Sequence, residues 1–154
     1  MTDFLPAADY LPHEEPMLLV ERVSEVTAES AVCHVRIDTH SVVAPFLNAA
    51  GNLPGWYALE IMAQTIGVWS GWHAHCQGKP PSVGLLLGCR GLTCSEPSFN
   101  HGTELEVRIS LLLQDERIGS FECQILIDQT QVAAARLTTY QPNNNEISPL
   151  LARN

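Results

Sequence analysis

The chain has 154 residues, 45% of them hydrophobic and 16% charged, with a formal net charge of −9 from 17 acidic against 8 basic side chains. That composition is globular, long enough to bury a core, and excludes a disordered polymer. Only eight Lys and Arg are present and they form no cluster, so nucleic acid is not expected as a partner, because phosphate binding needs a density of cations.

The first 16 residues, MTDFLPAADYLPHEEP, are rich in proline and acids and read as a loop with one short helix at most. No basic stretch leads into an apolar run there, so no secretory signal is expected. Met17–Asp38 holds two β-branched runs around a polar centre at Ala28–Ser30, the pattern of a hairpin. Val42–Gly55 is turn-rich and irregular. Pro54 falls in the expected first turn of a helix, where its missing N–H costs nothing. That helix runs to about His75 and is stopped by Gly78 as a cap and Pro80 beyond it. Four strand segments follow: VGLLLGCRGLTC, ELEVRISLLLQ, GSFECQILID and QVAAARLTTY. The tail after Tyr140 is polar. Nothing divides the chain, so residues 1–154 are expected to form a single domain with its core at about 10–141.

A hairpin, one long helix and then four strands argue for an α+β domain with the helix on one face of an antiparallel sheet. Leu59, Met62, Ala63, Ile66, Gly67 and Ser70 recur at helical spacing and are expected to lie against that sheet. Ile61, Val68, Trp69 and Trp72 make the other side apolar as well. Such a helix is wrapped by protein all round, and a dimer wraps it more completely. Its glutamate, Glu60, is out of place in that company. The helix carries Glu60, Gln64, Ser70 and two glycines, so it is not read as a membrane span. Five cysteines, odd in number and without a CxxC pair, suit reduced thiols in a cytoplasm. His73, His75 and Cys76 resemble a metal set on paper, but residues two apart on a helix point in different directions, so no metal is expected.

Two segments, YLPHEEPMLLVERV (Tyr10–Val23) and LPGWYALEIMAQTIG (Leu53–Gly67), resemble the signature segments of the 3-hydroxyacyl-ACP dehydratases of fatty acid synthesis. That family opens with Leu-Pro-His, two residues, Pro and an apolar strand. Its helix reads Pro-Gly, four residues, Glu, then an Ala-Met-Ala-Gln-like run. SFECQILIDQTQVAAARLTTY is similar to the family's last two strands. HEEPML and AQTIGVWSGWHAH look closest to the dehydratase-like proteins of bacterial aryl polyene clusters. The resemblance implies a hotdog fold, a long central helix wrapped by a curved antiparallel sheet, working as a dimer. VGLLLGCRGL (Val83–Leu92) is then expected near the two-fold contact.

Elimination of water from a 3-hydroxyacyl thioester needs a base for the α-proton, an acid for the departing hydroxyl and a donor to the thioester oxygen; it needs no cofactor. The resemblance makes Glu60 the carboxyl beside the hydroxyl. It sets Pro54 and Gly55 against the substrate, with the Gly55 N–H facing the thioester carbonyl, and Gln64 one turn on from Glu60 to orient it. The family's catalytic histidine sits in a Gly-His-Phe-Pro stretch. The matching segment here, PFLNAAGNLPG (Pro45–Gly55), is shorter by about four residues and holds no histidine. His13, in Leu-Pro-His, is the first candidate to replace it, and His40 is a weaker one. A partner subunit is the other source, since hotdog sites lie between chains. Three readings stay open: a dehydratase acting on substrates bound to acyl carrier protein, as a homodimer or a heterodimer; a non-catalytic subunit completing such a heterodimer; and a hotdog thioesterase. An acidic carrier would have to find scattered positives such as Arg22, Arg90 and Arg136.

Overall fold

The computed structural model describes residues 3–12, 18–80 and 84–141. Strand β1 (Arg22–Val26) and strand β2 (Ser30–Arg36) form the expected hairpin. Its turn is closed by the Thr27 N–H donating to the Ser30 carbonyl at 2.8 Å and the Glu29 N–H donating to Thr27 Oγ1 at 3.2 Å. A two-residue strand β3 (Leu53–Pro54) precedes helix α1 (Ala58–Cys76). After the helix come β4 (Leu85–Cys94), a short β5 (Ser98–Phe99), β6 (Glu104–Asp115), β7 (Ile118–Ile127) and β8 (Thr130–Tyr140). Six strands make one antiparallel sheet in the order β1-β2-β6-β7-β8-β4, and β3 pairs with β5. One long helix against a curved antiparallel sheet is the hotdog architecture.

Period-two alternation builds the inner face of that sheet. Leu105, Val107 and Ile109 of β6 are buried, as are Phe121, Cys123 and Ile125 of β7. Register stacks them in rows: Cys33, Val107, Ile125 and Ala133 form one, and Ile109, Cys123 and Ala135 the next. The two buried thiols belong to this packing. Burial pushes Cys33 and Cys123 up to about 12, so they stay protonated and act as small apolar side chains.

The helix sits against β2, β6 and β7. It is rotated from the expected face. Ile61, Met62, Thr65, Ile66, Val68 and Trp69 are buried, whereas Leu59, Ala63, Gly67 and Ser70 are only half-buried. A helix apolar on nearly every side does not encode its own rotation, and here the small-residue stripe is turned toward a cavity. The helix also starts later than expected. Pro54 is not in its first turn but extended in β3, paired with Ser98, and a 3-10 turn (Gly55–Tyr57) leads into α1. The cause is a contact distant in sequence: the Gly55 N–H donates to the Pro97 carbonyl at 2.9 Å. The C-terminal end is as expected. Gly78 has φ +71°, its N–H donates to the His75 carbonyl and the Lys79 N–H to that of Ala74, which satisfies the last carbonyls. Val83 and the tail from residue 142 lie outside the described residues.

Candidate active site

Glu60 lies in the first turn of α1 and is exposed in the single chain. It stands on the wall of a cavity of about 290 Å³ between the helix and the sheet. Ala63, Gly67 and Ser70 form the helix side, and Gly119, Phe121 and Thr139 the sheet side. Small side chains on both walls leave the space open. Leu11 and Pro12 of the N-terminal segment cover part of it. Trp69 reaches the same cavity, edge-on to Phe121 with ring centroids 5.3 Å apart, and its buried Nε1 has no hydrogen-bond partner.

Polar residues of the cavity that the sequence did not single out include Gln114, Arg117 and Gln141. They come from the end of β6, the β6–β7 turn and the residue after β8. The turn is tight, with Glu116 at φ +51°, and is tied to β8 by the Gln141 N–H donating to the Arg117 carbonyl at 2.8 Å. No local motif marks these positions, because only strand pairing brings them to the same cavity as Glu60. The arrangement is a largely apolar slot with one carboxyl on its wall and amide and guanidinium groups along it.

Gln64 also lines the slot but is 1% exposed, and its Oε1 accepts the Leu19 N–H at 2.8 Å. That bond ties the helix to the segment leading into β1 and fixes which way the amide faces. Gly55 is held by the turn before β5: a Cβ there would come within 2.7 Å of the Glu96 carbonyl oxygen and 3.1 Å of that of Pro97. Its N–H, bonded to Pro97, is not directed at a ligand in the single chain. His13 lies outside the described residues. His40 is exposed, donates its backbone N–H to Asp38 Oδ1, and does not line the cavity.

The shortened loop closes on itself. Asn48 Oδ1 accepts the N–H groups of Ala50 and Asn52, each at 3.0 Å, and Asn52 Oδ1 accepts the His101 N–H at 2.8 Å. These asparagines shape a turn and offer no base. No histidine is among the described residues lining the cavity. At the far end of α1, His73 Nε2 bonds the Thr27 carbonyl at 3.0 Å and His75 stands edge-on to Tyr10. Two of the scattered positives are paired on the surface, Arg22 with Glu104 and Arg136 with Glu122, each at 3.7 Å. No helix among the described residues is long and apolar enough to cross a membrane.

Comparison with known proteins places this geometry. The family model for ApeP-like proteins, described as ApeP dehydratase, matches residues 5–151. A 3-hydroxyacyl-[acyl-carrier-protein] dehydratase, FabZ, from Acinetobacter baumannii is 30% identical over 132 residues, covering 83% of this chain and 88% of its own. Among solved structures, the dehydratase heterocomplex ApeI:P from Xenorhabdus doucetiae matches with a TM-score of 0.90 and 47% identity over 97% of this chain and 99% of that one. The TT0310 protein of Thermus thermophilus matches with a TM-score of 0.59 at 16% identity, covering 79% and 91%, a likeness of fold alone.

Proposed function

The chain belongs to the ApeP-like dehydratase family, and from that premise we propose that it contributes Glu60 as the acid of a 3-hydroxyacyl thioester dehydratase whose base comes from a second hotdog subunit. The observation that carries this is the slot itself: a carboxyl on the wall of an apolar cavity with no histidine among its described lining. In the reaction, the base removes the proton from the carbon next to the thioester. The electron pair left behind forms the carbon–carbon double bond as the C3–oxygen bond breaks. The Glu60 carboxyl protonates the departing hydroxyl, so water and an enoyl thioester leave. With the Gly55 N–H bonded to Pro97, the donor to the thioester oxygen is assigned to no residue of this chain.

The exposure of Glu60 in one chain fits a site closed by another. The chain also exposes apolar groups that a partner would cover: Trp56 at the helix start, 77% exposed, and Leu87 and Leu92 of β4. The related Xenorhabdus structure is a dehydratase heterocomplex, ApeI:P, which supports a partner of the ApeI type. An acyl carrier protein as the bearer of the substrate follows the name of the Acinetobacter relative, and five free thiols suit a cytoplasmic setting.

The test is product formation from a 3-hydroxyacyl group on a carrier protein, with this chain alone and mixed with an ApeI-type subunit. The mixture should yield the enoyl thioester and no free acid. Free acid as the main product would replace this reading with a thioesterase.

A further inference from the structure

Strand β4 is one of the two edges of the sheet, β1 being the other. It is exposed along nearly its whole length, and its outer backbone groups have no strand beside them among the described residues. Exposed edges of this kind take another strand. Its leucines explain attraction but not choice of partner. The choice is carried by charge. Arg90 pairs in register with Arg136 of β8, and Arg136 with Glu122 of β7, so the three stand in one cross-strand row. Glu122 is in ion-pair contact with Arg136 at 3.7 Å. Arg90 has no carboxylate within ion-pair distance among the described residues and is the outermost member of the row. Two like charges directly opposite across a strand pair destabilise it. In a chain of net charge −9, this leaves a local excess of positive charge at the sheet edge.

We infer that Arg90 selects the occupant of this edge: a second hotdog subunit that presents a carboxylate across from it, in preference to another copy of this chain. The inference rests on the shared-site reading above and names the chemistry of the subunit that completes the site. A carboxylate one strand further out balances the row, as two acids flanking two arginines. A second copy, paired antiparallel about the middle of β4, brings its own Arg90 and Arg136 instead, four guanidinium groups against two Glu122 carboxylates. Bulges near Leu87 and between Arg90 and Thr93, with Gly91 at φ +62°, keep the strand irregular, so charge rather than a long regular ladder decides the pairing.

The chain itself provides the test. Sedimentation would compare the wild type, the Arg90→Glu variant and an equimolar mixture of the two at low salt. The mixture places Arg90 opposite a carboxylate and should associate about tenfold more tightly than either component alone. That gain should shrink at high ionic strength. Arg90→Gln alone should self-associate more tightly than the wild type, since it removes repulsion without adding attraction. A mixture no tighter than its components, or an Arg90→Gln variant no different from the wild type, would overturn the inference. Neither result touches the dehydratase reading, which is read from enoyl product. Conversely, an inert mixture with an ApeI-type subunit alongside intact charge-swap pairing would leave the selection by Arg90 standing and remove the reaction.

Discussion

Glu60→Gln should remove dehydration from whichever assembly is active while leaving the fold unchanged. The carboxyl is exposed in the single chain, and none of the described hydrogen bonds or ion pairs depends on it. The amide has nearly the same shape, so the cavity wall keeps its form. What is lost is the proton that the leaving hydroxyl requires, a contribution of about 10²–10⁴-fold in rate. The pairing of readouts is informative: thermal unfolding should be unaltered while turnover of a 3-hydroxyacyl carrier substrate collapses. Turnover near the wild-type rate would assign the carboxyl to the solvated face of an incompletely wrapped helix.

Gly71→Ala should have the largest effect on stability. In mid-helix this exchange ordinarily helps, by about 1 kcal/mol, because alanine is the better helix former. Here a Cβ would lie 1.7 Å from the Tyr10 carbonyl oxygen and 2.7 Å from its carbon. Those are backbone atoms, so no side-chain rotation relieves the clash. Overpacking of this kind costs about 3 kcal/mol or more, which outweighs the propensity gain. For a domain of this size that corresponds to a fall in Tm of about 6–12 °C. The N-terminal segment must move off the helix, and Leu11 and Pro12, which cover the cavity, go with it. A calorimetric Tm equal to that of the wild type would show that the segment does not pack here.

The parts of this molecule that are legible in the sequence are those fixed by neighbours in the chain. Gly78 and Pro80 mark the end of α1 because a left-handed cap and a missing N–H act within one turn. The alternation in Leu105, Val107 and Ile109 marks an inward face because a strand repeats every two residues. Glu60 is legible as a candidate because it breaks an apolar pattern inside a recognisable motif, and the structure sets it on the wall of the cavity. The rotation of α1 is not legible, since Ile61, Val68 and Trp69 are as apolar as Leu59 and Ala63. Nor is the extended state of Pro54, which depends on a bond between Gly55 and Pro97. Gln114, Arg117 and Gln141 reach the cavity that Glu60 lines only after three strands have paired. The asparagines of the shortened loop read as an absence of base, and the structure gives them a positive role as turn closers.

Whether one active site is divided between two chains is decided by a mixing assay. This chain, as wild type or Glu60→Gln, is combined with a second hotdog subunit that carries the Gly-His-Phe-Pro stretch, as wild type or with that histidine replaced by alanine. Enoyl thioester formation is then followed against the chain alone and its His13→Ala variant. With a divided site, the chain by itself is nearly inert whatever stands at position 13, activity appears on mixing the two wild types, and either substitution alone removes that activity. If instead the chain turns over unaided and His13→Ala lowers that rate by about 10²–10⁴-fold, the divided site is wrong, and this protein is a complete dehydratase with His13 as its base.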